Sequence, residues 1–269
     1  MALCRGLGVA VQRYLLRGSG LRERQPSAER GSLAAAFPRS AFALAFPPPG
    51  AILIYDRFVI TPLVNFLEAL AFSAFVSLYI WRWQEASPKT WLVFPVWLLL
   101  SFALYRDTPK TIGWRADNLK PATRRAAPIF VFLFLAIGIA GVALGAPHRT
   151  PAHFISPKRF VGYFAFCLLQ QIGLQSLTMN RLLNGLRSPE VAACVGGLLF
   201  GALHWPNPVL VPLTFIGGTV MCWLFSRDRN ILPLVLGQAI LGGLVWWAFP
   251  LAWHHSMRVG PGYYTYLPK

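Results

Sequence analysis

Several polar side chains sit inside long apolar stretches of this chain. Gln170 and Gln171 are adjacent and are followed by Gln175 and Ser176; His204 comes four residues after Phe200; Gln238 lies in the last stretch, and Asn65 and Glu68 in the first. An amide donates and accepts hydrogen bonds but has no basic form near neutral pH, so the glutamines can bind or orient a group without removing a proton from it. An imidazole can remove one. Of the nine acids, Glu68 alone falls well inside an apolar stretch. If the first and fifth stretches pack together, Glu68 and His204 would form an acid–base pair. Beside neutral amides, the Glu68 carboxyl would be pushed toward its protonated form by desolvation. At the helical period, Gln171 and Gln175 share a face. Interhelical hydrogen bonding, worth about 0.6–2 kcal/mol per group in lipid, is the alternative use of all these side chains.

No metal or cofactor is expected. His204 is the one histidine in the interior of an apolar stretch, and zinc sites take at least three protein ligands. His254 and His255 close the last stretch, where neighbouring side chains point apart, and are read as interfacial. Cys4, Cys167, Cys194 and Cys222 show no paired spacing and are read as small hydrophobes rather than a disulfide or metal set.

The elements that must position these groups follow from composition. The 269 residues are 55% hydrophobic and 14% aromatic but only 13% charged, half the charge density of a soluble domain. That leaves too little polar surface for a water-soluble globule and far too much apolar surface for a disordered chain. An all-α polytopic membrane bundle follows, of about seven or eight transmembrane helices, each needing roughly 20 apolar residues. Seven stretches qualify: Phe58–Ile80, Trp91–Tyr105, Ala127–Gly145, Phe160–Met179, Val191–Trp205, Val209–Phe225 and Ile231–Trp253. The second and fifth are short. An eighth, Leu33–Tyr55, is broken by Pro38 and by Pro47, Pro48 and Pro49, and is read as an interfacial or re-entrant lead-in. The chain thus divides into an Arg-rich tail (1–31), a proline-broken lead-in (32–57) and a transmembrane domain (58–269).

The net charge of +16 comes from 25 Lys and Arg against nine acids, distributed between the apolar stretches rather than on one face. This is the pattern of loop cations beside anionic headgroups and not of a nucleic-acid interface. With the N-terminus inside, eighteen basic residues fall on the inner side and seven on the outer, or ten against seven without the tail. The tail lacks a continuous apolar core and has the composition of a transit segment or of an over-extended bacterial reading frame. The expected location is a bacterial inner membrane with a cytoplasmic N-terminus, or an organelle membrane if the tail is a transit peptide.

Order and spacing of the motifs, over about residues 110–245, resemble the CPBP family of intramembrane endopeptidases, which includes the Rce-type CAAX prenyl proteases and abortive-infection-type proteins. That family carries Glu-Glu-x-x-x-Arg followed by Arg-Leu, then Phe-x-x-x-His, then His-x-x-x-Asn or Asp. Here the corresponding residues are Gln170, Gln171 and Gln175 followed by Arg181-Leu182, then Phe200 and His204 before Trp205-Pro206, then Gln238 and Gly242. The segment Ile112-Gly113-Trp114-Arg115 resembles the amphipathic approach to the family's core. The resemblance implies a CPBP-like helical core and a site in which glutamate takes a proton from water while histidine and asparagine orient it.

Only Phe200 and His204 keep the family's identities. The substitutions agree with one another in charge: with two buried anions lost, their Arg partner is unnecessary, and a lone buried Arg would be costly. The site is neutralised as a unit while its shape and hydrogen bonding remain. The residues point to a catalytically impaired relative serving as a scaffold or as a pocket for a prenylated or transmembrane peptide or a partner membrane protein. Beside it stand an active endopeptidase rearranged around Glu68 and His204, and a transporter-like protein that uses the amides as a polar path. Lipids are expected partners; nucleic acid is not.

Overall fold

The computed structural model describes residues 53–55, 58–148 and 157–266. The tail and all but three residues of the lead-in lie outside them.

Two three-residue strands, β1 (Leu53–Tyr55) and β2 (Phe58–Ile60), pair antiparallel with Leu53 opposite Ile60 and Tyr55 opposite Phe58. The first span therefore begins later than Phe58. The Phe-Val-Ile run suits a strand, and Thr61 then caps α1 (Pro62–Ala86) by accepting from the Val64 amide at 3.2 Å, with Pro62 in the first turn. Each of the other six predicted stretches also forms a helix: α2 (Pro88–Leu104), α3 (Leu119–Ala143), α4 (Phe160–Gly185), α5 (Pro189–Ala202), α6 (Leu210–Asp228) and α7 (Leu232–Ala248). α7 stops five residues short of the expected Trp253. Phe249 precedes Pro250 and adopts extended backbone, the conformation that a following proline favours.

α1, α3, α4 and α6 are long and apolar enough to cross a membrane; α2, α5 and α7 are shorter. The 14 residues of α5 span about 21 Å, less than the ~30 Å of hydrocarbon. Large apolar side chains such as Leu99, Phe132, Ile139, Val161 and Leu169 are exposed around the bundle. Surfaces of this extent are buried in lipid, and the chain is an integral membrane protein.

Successive helices alternate in direction, which gives the bundle two distinct ends. At the first, the Gly185 backbone at the end of α4 meets Pro62 and Phe66 at the start of α1. Arg227 of α6 pairs with Glu190 of α5 at 3.0 Å, and the Ile231 amide before α7 bonds the Gly113 carbonyl at 3.0 Å. At the far end, Asn207 donates to the His254 and Arg258 carbonyls at 2.8 and 3.0 Å, tying the α5–α6 connection to the turns after α7.

α5 and α6 approach closely because small residues line their contact: a Cβ at Gly197 would lie 2.6 Å from the Thr219 backbone nitrogen. The main core, including Leu182, Phe200, Met221, Leu224 and Phe225, sits between α4, α5 and α6. Midway along α4 the helix widens, with π-type geometry over Ile172–Met179. Such segments interrupt the regular ladder and are frequent at functional sites.

Candidate functional site

The widened segment begins immediately after the tandem glutamines, and the polar groups of α4 there face α6 and α7. Gln171 Nε2 donates to Gln238 Oε1 at 2.7 Å, and Gln238 Nε2 donates to Gln170 Oε1 at 2.6 Å. Gln238 thus bridges the adjacent pair. Gln171 Nε2 also lies 3.1 Å from Met221 Sδ on α6. Gln175, fully buried one turn on, lies against Cys222 on α6. Gln238 of α7 and the tandem glutamines of α4 meet through their amides, and the shared face of Gln171 and Gln175 is directed at consecutive residues of α6. Every member of this network is uncharged.

The Gly242 position is filled from α4. A Cβ built on Gly242 would lie 1.9 Å from the Tyr163 hydroxyl oxygen. Tyr163 neighbours Cys167 one turn along, and Cys167 packs with Val235 and Ala239 of α7. A phenol from the facing helix therefore occupies the volume in which the family pattern places an amide or carboxylate. Sequence reasoning missed Tyr163. Its only signal is the spacing, seven and eight residues before the tandem glutamines, which puts it on their face two turns earlier.

His204 stands apart from the amides. Its Nδ1 bonds the Phe200 carbonyl at 2.7 Å, which makes Nδ1 the protonated nitrogen and leaves Nε2 as the basic one. Its ring meets Phe200 edge-on at 4.8 Å. Phe200 shares the main core with Leu174 and Met221, so the imidazole lies one turn beyond that cluster. No hydrogen bond joins it to Gln170, Gln171, Gln175 or Gln238.

Glu68 does not meet His204. Its carboxylate accepts from Arg181 Nε at 3.1 Å, at the opposite end of α5. Arg181 is completely buried; its Nη2 reaches Asp107 at 2.7 Å and the Ser101 hydroxyl at 2.8 Å, and its guanidinium carbon lies 3.6 Å from the centre of the Tyr105 ring. The environment expected for Glu68, neutral amides, is replaced by a cation. Arg181 is correspondingly no loop cation. Its sequence signal was the costliness of a buried guanidinium, which demands carboxylates nearby, and both were available on α1 and just after α2.

The connection between α2 and α3 is drawn into the same end. Ser176 donates to the Ile112 carbonyl at 2.5 Å and Asn180 to the Thr111 carbonyl at 2.8 Å. Arg229 donates to the Asn180 side-chain oxygen, and Asn230 donates to the Arg115 carbonyl at 2.9 Å. The segment expected to approach the core, Ile112 to Arg115, is docked on α4 and on the α6–α7 turn. His254, expected at the interface, is buried beneath Asn207, whereas His255 stacks on Tyr263 at 4.1 Å. The two imidazoles do point apart. Among the described residues, no three His, Cys, Asp or Glu side chains group as metal ligands.

Compared with known proteins, residues 160–243, from the start of α4 to within α7, match the family described as type II CAAX prenyl endopeptidase Rce1-like. This segment contains every glutamine of the amide network, His204, Gly242 and Tyr163, and the CPBP resemblance read from the motifs stands on it. No curated protein and no solved structure matches the chain.

Proposed function

We propose that this protein is a catalytically impaired relative of the CAAX-type intramembrane endopeptidases that holds a prenylated or transmembrane peptide, or a partner membrane protein, without cutting it. The observation that carries the reading is the Gln171–Gln238–Gln170 network: where the family pattern places a glutamate base and a histidine, two hydrogen bonds link three amides in a row. None has a basic form able to accept a proton from water. The carboxylates nearest the helical core, Glu68 and Asp107, are engaged by Arg181, so neither supplies His204 with an acid. The intended setting is a bacterial inner membrane with the N-terminus cytoplasmic, or an organelle membrane if the tail is a transit peptide. Arg181 apart, the nine cations of the loops and helix ends at the end that holds the α2–α3 connection support that orientation.

Cleavage of a farnesylated CAAX peptide by the full chain in detergent tests the proposal, with photo-crosslinking of the same peptide as the binding readout. The expected outcome is crosslinking without turnover. Turnover that is lost on His204→Ala would overturn it.

A further inference from the structure

We propose that a groove between α3 and α7 binds an anionic phospholipid, its acyl chain lying in the groove and its headgroup on Lys120 and Arg124. The groove encloses about 440 Å³ and is walled by Leu119, Ala127 and Phe130 of α3, Leu236 and Ile240 of α7, and Phe164 of α4. That volume lies within the range of ordinary ligand sites, and its lining is almost wholly apolar, which selects hydrocarbon. The groove runs from the first turn of α3, at the cation-rich end of the bundle, toward the membrane interior.

Charge distinguishes this groove from a general lipid-facing surface. Lys120 lies two turns before Ala127 and Arg124 three residues before it, so both border the Ala127 edge of the groove. Both are exposed, and no carboxylate among the described residues pairs with either. Their neighbours differ: Arg125 is bound to Asp228 at 3.0 Å, Arg115 to Asp117 at 2.5 Å, and Arg227 to Glu190 at 3.0 Å. Two unpaired cations at the mouth of an apolar slot between membrane helices complement a phosphodiester headgroup with its chain.

The full-length protein, reconstituted in nanodiscs of equal phosphatidylcholine and phosphatidylglycerol, is released into the mass spectrometer and the retained lipids are counted. Phosphatidylglycerol is expected to be retained about tenfold over phosphatidylcholine. The exposed double substitution Lys120→Gln with Arg124→Gln should bring the two to parity, and Arg227→Gln should leave the preference unchanged. Ala127→Phe, which fills the slot, should remove both lipids from it. Equal retention by the wild type, or a preference that survives the double substitution, would overturn the proposal. A dimer that dissociates on Ala127→Phe would assign the groove to a second copy and overturn it as well.

Discussion

Gln238 accepts one hydrogen bond and donates another, so Gln238→Leu strands the Gln170 oxygen and leaves the Gln171 amide nitrogen only the weakly accepting Met221 sulfur. Each buried group left unpaired costs about 1–3 kcal/mol. A fall in the thermal midpoint in detergent is expected, with Gln238→Glu milder because it still accepts from Gln171. Gly242→Ala forces a Cβ against the Tyr163 hydroxyl, an overpacking worth about 1–3 kcal/mol. Tyr163→Phe removes the closest atom and should restore part of the loss, since the ring carbon behind it lies 2.9 Å from the new Cβ. The same contact bears on any attempt to rebuild the family's site. Glutamates at 170 and 171, arginine at 175 and histidine at 238 leave Gly242→Asn still obstructed, so activity should appear only when Tyr163 is reduced as well. Peptide turnover by the two combinations checks this. The loss of charge at these positions was legible from the residues alone. The occupant of the Gly242 volume was not, because it comes from a side chain 79 positions away on another helix.

At the level of elements, Arg181 fastens α4 to α1 and to the end of α2 through Glu68, Asp107 and Ser101. Removing one member of a buried ion cluster leaves the rest uncompensated and costs about 3–5 kcal/mol. Arg181→Met should therefore destabilise strongly, and adding Glu68→Leu and Asp107→Leu should recover much of the loss; equilibrium unfolding in mixed micelles measures both. The α5–α6 pair depends on the absence of a side chain at Gly197. Gly197→Val is expected to separate these helices and to expose Cys222, which packs at Gly196, to a membrane-permeant maleimide. Helix positions were legible because apolar length is a local property. Their ends moved where a local rule overrode it: the Thr61 cap delayed α1, and Pro250 ended α7.

For the molecule as a whole, alternating helices place the α2–α3 connection, the α4–α5 turn and the α6–α7 turn at one end. Single cysteines introduced at Lys110 and Arg187 should share one pattern of reactivity toward an impermeant reagent, with Lys89 and Arg258 showing the other. Under the proposed orientation the first pair is cytoplasmic. Identical labelling of all four would contradict the alternating arrangement.

Composition alone determined that this chain lives in lipid as helices, because backbone groups in hydrocarbon must be satisfied within their own segment, and the residue types showed amides at the positions where the family pattern carries charge. The tertiary structure decided which groups meet. Glu68 found Arg181 rather than His204, and Tyr163 filled the place at Gly242. Those outcomes depend on the rotation and depth at which helices dock, which are set by small residues and close contacts spread over the whole chain. Hydrophobic length, summed within one stretch, carries none of that information.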